Sequence, residues 1–403
     1  MTRRGLLAVR WVRLVLAALV ASAWADGFLP LAMSFAVLRV TGSVARLGLV
    51  LAVQSGVALL LTLAGGLAGD RFPRRRIMIV SLGVRLAVAA AIATALLTGA
   101  ASFSLLLIAA GVYGCADGFF GPASSALLPE VVPRELLTPA NALIGGTASA
   151  GSVVAPAIAG LVVATLGTGA AFALQASVLA IALGCLAAVR IPVRPPAHAA
   201  RPAIVRQLRI GWAEFARRRW LWLPTLEWTV FSLVILAPMN VLGPAIAQRY
   251  LGGAAAWGVI GSCLSLGAVA GQIVAGRARM PARPALVIAC LLPFMTGEAL
   301  ALGLGASLVV VALATVVSGL AMGAQEVIFA TTMQTTVPPE MLARVASIDL
   351  LASEGGQPAG YALAGPVGAA VGPHAFLACA AIGVLAASLG YALLPGLRTR
   401  VTG

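Results

Sequence analysis

Apolar runs of about twenty residues follow one another from one end of this chain to the other, separated by short polar breaks. About 20 apolar residues in helical conformation cross a hydrocarbon layer ~30 Å thick. Backbone hydrogen bonds must close inside such a layer, which leaves helices or a closed barrel. The runs lack the alternation of barrel strands, so helices are predicted throughout. Composition agrees: 61% of the residues are hydrophobic and 10% charged, against about 25% charged in a water-facing domain.

Twelve spans are predicted, at 14–38, 46–69, 77–98, 103–128, 139–165, 169–190, 221–246, 257–276, 284–304, 307–334, 345–369 and 374–394. The breaks carry turn signals such as Thr41-Gly42-Ser43 and Asp70-Arg71-Phe72-Pro73. The basic residues number 27 and every one is Arg. With both termini in the cytoplasm, all but Arg39, Arg46, Arg249 and the mid-span Arg85 fall inside, as the positive-inside rule requires. The first run continues through Trp24, Phe28 and Phe35, too long for a cleavable signal, and is read as the first span. The division expected is a six-helix bundle at 1–190, a linker at 191–220 and a second six-helix bundle at 221–403. The linker opens Pro-rich (IPVRPPAHAARP) and ends in a basic amphipathic stretch, expected as a helix on the cytoplasmic lipid surface.

Several classes of function fall away. The net charge of +15 is topological arginine rather than a nucleic-acid patch. The five cysteines sit inside apolar runs without ligand-like spacing, so neither a disulfide framework nor a metal site is expected. His198 and His374 have no partner pattern, and no GxxxxGK[ST] loop occurs. No catalytic set is present, and the chain is not expected to be an enzyme.

The sequence repeats. Val132-Pro133-Arg134-Glu135-Leu136-Leu137 recurs as Val337-Pro338-Pro339-Glu340-Met341-Leu342, an offset of 205 at which Gly151, Ala155 and Gly160 fall on Gly356, Gly360 and Gly365. Two parallel six-helix repeats are the arrangement of alternating-access transporters. Between the second and third spans the chain reads Gly66-Leu67-Ala68-Gly69-Asp70-Arg71-Phe72-Pro73-Arg74-Arg75. This resembles the signature of the major facilitator superfamily, and its DRFPRR form is similar to the branch of macrolide- and enterobactin-type exporters among the drug:proton antiporters. The fifth span carries Gly151-Ser152-Val153-Val154-Ala155-Pro156-Ala157-Ile158-Ala159-Gly160, similar to the Gly/Pro motif of the superfamily's antiporters. Pro73 stands where the family usually has Gly, alanines replace some glycines of the second motif, and the fourth span lacks the Arg common in such antiporters. Physically, Asp70 can face the positive N-terminus of the eleventh helix. Arg74 and Arg75 can reach Glu130 or Glu135, and such pairs would clamp the cytoplasmic side in one conformation. In the fifth span small residues permit close helix approach and Pro156 is expected to bend the helix.

Seven of the twelve acidic residues, Asp26, Asp117, Glu227, Glu298, Glu326, Asp349 and Glu354, fall within predicted spans. Each costs ~2.5–3.5 kcal/mol at a helix centre, so their number implies a polar path. Asp26 and Asp117 are the first candidates for proton coupling, with Glu354 and Glu326 next. Arg85 can pair with Asp26 or Asp117. Glu227 and Asp349, near cytoplasmic ends, are expected to be solvated. A cavity lined by Trp24, Phe28, Met33, Tyr113, Phe120, Gln357 and Tyr361 suits bulky amphipathic, often cationic molecules. The resemblance implies proton-coupled export of such compounds, driven by the proton gradient without a cofactor, by a monomeric protein of the bacterial inner membrane. Its partners would be a small-molecule substrate and the lipid bilayer. Export of one metabolite, such as a siderophore or antibiotic, and nutrient uptake by symport or facilitated diffusion remain alternatives.

Overall fold

A computed structural model describes residues 10–132, 137–189 and 212–392. Six helices come first: α1 (Arg10–Thr41), α2 (Val44–Arg71), α3 (Arg74–Thr98), α4 (Phe103–Val131), α5 (Leu137–Leu166) and α6 (Thr168–Ala187). They are followed by α7 (Arg219–Leu251), α8 (Ala254–Arg277), α9 (Pro284–Gly303), α10 (Leu308–Thr336), the two-part α11 (Pro339–Gly355 and Gln357–Val371) and α12 (Pro373–Ala392). No strand occurs among the described residues. The helices α1 to α10 are each long and apolar enough to cross a membrane. The segments Arg344–Val371 and Pro373–Ser388 meet that measure together and are bent by 114° at the break between them. Gly372 makes that reversal with φ 87°, a backbone region in which side chains are strained.

The chain forms two compact units, Met1–His198 with Gly252–Ser262, and Ala199–Leu251 with Cys263–Gly403. The first unit therefore takes in the start of α8 as well as α1 to α6. There α5 meets α8 without intervening side chains: a Cβ on Gly160 would lie 2.5 Å from the Ala254 carbonyl oxygen, and one on Gly258 equally close to that of Pro156. Small residues thus serve here as contact surfaces, and α5 runs unbroken through Pro156.

The repeat is also a repeat of contacts. In the first unit Gly151 of α5 abuts the Trp24 indole of α1, and in the second Gly356 abuts Thr229 of α7. Both members of the second pair stand 205 positions after their counterparts.

Two spans expected as single helices are broken. In α9 the break falls at Thr296, after Pro293, where proline has removed a donor from the ladder. A second device holds the bend: the Ser318 hydroxyl of α10 donates to the Phe294 carbonyl (3.0 Å) and accepts from the Glu298 N–H (3.2 Å). It is spliced into the bond those two groups would otherwise share. The break in α11 lies at Gly356, just before Pro358.

Candidate functional site

The first unit is built around a charge with no exposure at all. Arg85, midway along α3, is 0% exposed, and an uncompensated ion there would cost several kcal/mol. Helices α1 and α4 supply the compensation. Arg85 forms an ion pair with Asp26 of α1 and lies 3.8 Å from the Asp117 carboxylate of α4. One terminal nitrogen donates to the Ser22 hydroxyl (3.2 Å) and the other to the Tyr113 hydroxyl (2.9 Å). The guanidinium also stands 5.0 Å and 5.2 Å from the ring centres of Tyr113 and Phe120, within cation–π range.

Tyr113 is the hub of this network. Its hydroxyl accepts from Arg85 and from the Gln175 amide of α6 (3.3 Å) and donates to Asp26 (3.3 Å), which uses every bond a phenol can make. The two acids differ from the arginine in access. The Asp26 and Asp117 side chains are 44% and 47% exposed. The cation is therefore fixed while its two counter-ions face open space.

The second unit gathers the other candidate acids. Glu326 of α10 accepts from the Gln272 amide of α8 at 2.9 Å. Glu354 of α11 and Trp228 of α7 line the same cavity. Asp349 accepts from the Thr225 hydroxyl at 2.6 Å. Among the described residues, no arginine joins these three acids around their shared cavity. Glu227, expected to be solvated, is instead buried beside Tyr391 at 7% exposure. The position near the end of a predicted span did not reveal that α7 turns this face inward.

Of the predicted cavity residues, Tyr113 and Phe120 surround Arg85, and Trp24 is half-buried, its indole donating to the Thr147 carbonyl of α5 at 3.1 Å. In the second unit Tyr361 accepts from Asn240 at 3.3 Å, and Gln357 is half-buried at the start of the second part of α11. Phe28 and Met33 are a correction. Both are sealed in packing, Phe28 in an apolar cluster with Leu31, Phe35 and Ala155, and in this conformation they are core rather than lining. Sequence reasoning missed Ser22 and Gln175. The signal for Gln175 was present, an amide in the middle of an otherwise apolar span.

In the cytoplasmic motif, the surroundings of Gly66 and the side chains of Asp70 and Glu130 lie outside what the structure describes, as do residues 133–136 with Arg134 and Glu135. Arg71 closes α2. Arg74 donates to the Ala126 carbonyl of α4 at 2.7 Å, and Arg75 to the Leu186 and Ala187 carbonyls at 3.2 and 2.8 Å. The last two are the open carbonyl end of α6, where a cation is favoured. In the second unit Arg218 does the same for α10 through the Thr336 carbonyl (2.8 Å) while pairing with Glu214 (2.5 Å). Of the predicted linker helix, residues 190–211 lie outside the described residues. The helical turn at 212–216 is seated by Phe215 on Leu221, Val337 and Val345, so its described end packs on protein.

Comparison with known proteins agrees with this architecture. The chain is 28% identical over 371 residues to the enterobactin exporter EntS of Shigella boydii serotype 18, covering 89% of this chain and 85% of that protein. The same figures hold for the enterobactin exporter EntS of Escherichia coli O139:H28. Among solved structures, a bacterial homologue of the human lysosomal transporter Spinster superposes with a TM-score of 0.74 at 14% identity, covering 98% of this chain and 99% of that one. The nucleoside transporter NupG gives 0.74 at 12% identity, covering 95% and 98%. These two likenesses concern the fold alone. The family model described as Major Facilitator Superfamily matches residues 15–352, and the chain is a multi-pass membrane transporter that belongs to this superfamily.

Proposed function

We propose that the chain is a secondary active exporter that extrudes amphipathic small molecules, drugs among them, in exchange for protons by alternating access. The observation that carries this reading is the network around Arg85. A fully buried guanidinium held by two half-exposed carboxylates gives protons a place to bind and gives the first unit a charge state that changes when they do. Asp26 and Asp117 are the proposed proton carriers, with Glu354 and Glu326 in reserve. Asp70, Arg71, Arg74, Arg75 and Glu130 are proposed as the cytoplasmic gate. The proton gradient is the energy source, and the working unit is a monomer in a bacterial inner membrane with both termini cytoplasmic.

A second reading is favoured by the relatives named as enterobactin exporters: export of one metabolite, such as a siderophore, by the same coupling. A single experiment separates the two. Retention of a fluorescent lipophilic cation is followed in an efflux-deficient bacterium expressing the chain, with and without a protonophore. Broad export predicts dye loss that the protonophore stops and that an Asp26→Asn/Asp117→Asn double variant abolishes. Retention of every dye tried, by a chain shown to be inserted, removes the broad reading and favours the dedicated one.

A further inference from the structure

The Tyr113 hydroxyl has one proton to give, and its neighbours decide where that proton goes. Arg85 and the Gln175 amide both donate to the phenolic oxygen, which leaves its own O–H to Asp26. Gln175 thus acts on Asp26 at one remove. Its position is otherwise hard to account for. Gln175 is 0% exposed, and its side-chain carbonyl oxygen is buried without a hydrogen-bond partner. A buried acceptor left without a donor is rare and costly, and a methionine would fill the same length of space with no polar atom to satisfy.

A carboxamide offers what methionine does not. A half-turn about its last bond exchanges its donor for its acceptor, and would bring the orphaned oxygen to the phenol. The exchange matches the two states of Asp26. While Asp26 is charged it needs the phenolic proton, and Gln175 donates to Tyr113. When Asp26 takes up a proton it gains an O–H of its own. That O–H can donate to the phenolic oxygen, and the phenolic proton then needs a different acceptor. The turned amide supplies one. Arg85 keeps its bond to Tyr113 throughout, and Asp117, 3.8 Å from Arg85, stays behind as the counter-ion. The phenol makes three bonds in both states, and the only new covalent bond is the O–H on Asp26.

We infer that Gln175 is a positioning residue of the proton site, its amide donating to Tyr113 while Asp26 is charged and accepting from Tyr113 once Asp26 holds a proton. This role rests on the reading of Asp26 as a proton carrier and deepens it, by naming the group that keeps the site bonded in both states. The ionisable groups facing Asp26 are Arg85 of α3 and Tyr113 and Asp117 of α4. Helix α5 has no ionisable side chain, α6 only Cys185 near its end, and those of α2 stand at its two ends.

The test titrates Asp26 itself, in the full chain reconstituted in lipid, with neither substrate nor gradient. The infrared carbonyl band of protonated Asp26 is isolated by subtracting the spectrum of an Asp26→Asn partner made in each background, and its midpoint pH is read. Tyr113→Phe takes the phenolic donor from the charged carboxylate. Gln175→Met takes from the protonated state the acceptor for the phenolic proton. The two variants should therefore move the midpoint in opposite senses, each by roughly 0.5–1 pH unit, the size of one hydrogen bond. Adding Gln175→Met to Tyr113→Phe should change nothing further, because the phenol through which Gln175 acts is gone. Gln175→Leu carries the same expectation should the methionine variant fail to insert. A midpoint unmoved by both Gln175 variants, a shift in the same sense as Tyr113→Phe, or an equal further shift in the double variant, as a change of packing would give, overturns the inference. An Asp26 band indifferent to pH overturns it together with Asp26 as carrier, whereas dye export is decided separately by the efflux assay. Midpoints that move as expected in a chain without protonophore-sensitive efflux uphold Gln175 and sink proton-driven export alone.

Discussion

At the scale of single residues, the first unit depends on a cation that cannot be left alone. Asp26 is the only carboxylate in direct contact with Arg85 among the described residues, Asp117 standing 3.8 Å away. Removing one member of a buried pair is costlier than replacing both by apolar groups. Asp26→Ala is therefore expected to destabilise the protein by about 2–3 kcal/mol, less than the ~3–5 of a fully enclosed pair because Asp26 half faces open space. An Asp26→Ala/Arg85→Met double variant should recover at least half of that loss. Thermal unfolding in detergent, followed by tryptophan fluorescence, ranks the two. A double variant less stable than the single would show that the pair holds the bundle together by itself. Asp26, Asp117 and Arg85 were legible in the sequence because a charge inside an apolar run is conspicuous. Their pairing was legible only as an alternative, Arg85 with Asp26 or with Asp117; that both carboxylates stand beside it was not, since an apolar run does not say which faces of α1, α3 and α4 turn together. Phe28 shows the converse error. An aromatic in a span reads equally as lining or as core, and only the approach of Ala155 beside it decides for core.

At the scale of elements, the helices were legible as runs and opaque as shapes. Twelve apolar stretches were countable, yet the broken courses of α9 and α11 were not, because a proline in a span is compatible with both outcomes. Pro156 sits in a continuous helix, whereas Pro293 precedes a break. The difference lies with the neighbour: Ser318 is spliced into the ladder after Pro293. Close packing gives a sharper prediction. Gly160→Val places a side chain against the Ala254 carbonyl, where only backbone can give way, and overpacking of this kind costs about 1–3 kcal/mol or more. Gly145→Ala, in the same helix with nothing within 4 Å of the added carbon, should be neutral or stabilising by roughly 0.5–1 kcal/mol. Yield of monodisperse protein on size-exclusion chromatography should separate them, and equal yields would refute a role for the α5–α8 contact in folding.

At the scale of the whole molecule, the two units share a plan but not a charge distribution. The contact of Gly151 with Trp24 recurs at Gly356 and Thr229, although α5 is continuous where its counterpart α11 is broken. Position 290, the counterpart of Arg85 at the same offset, is a cysteine, and position 231, the counterpart of Asp26, is a phenylalanine. One unit holds a compensated cation, and the other holds acids around a cavity that no arginine lines among the described residues. The arginine distribution also fixes an expected orientation for the complete chain. A green fluorescent protein fused to the C-terminus should fluoresce, and an alkaline phosphatase fused at the same point should be inactive. The reverse pair of results would invert the topology. The bend in α9 carries a consequence for motion. If that helix straightened, Phe294 and Glu298 would regain their direct bond, and the Ser318 hydroxyl would be released to its own helix, where the Ala314 carbonyl lies one turn back. Both shapes contain two bonds. In this currency the helix is indifferent between straight and bent, so its course is dictated by whatever fills the space beside it.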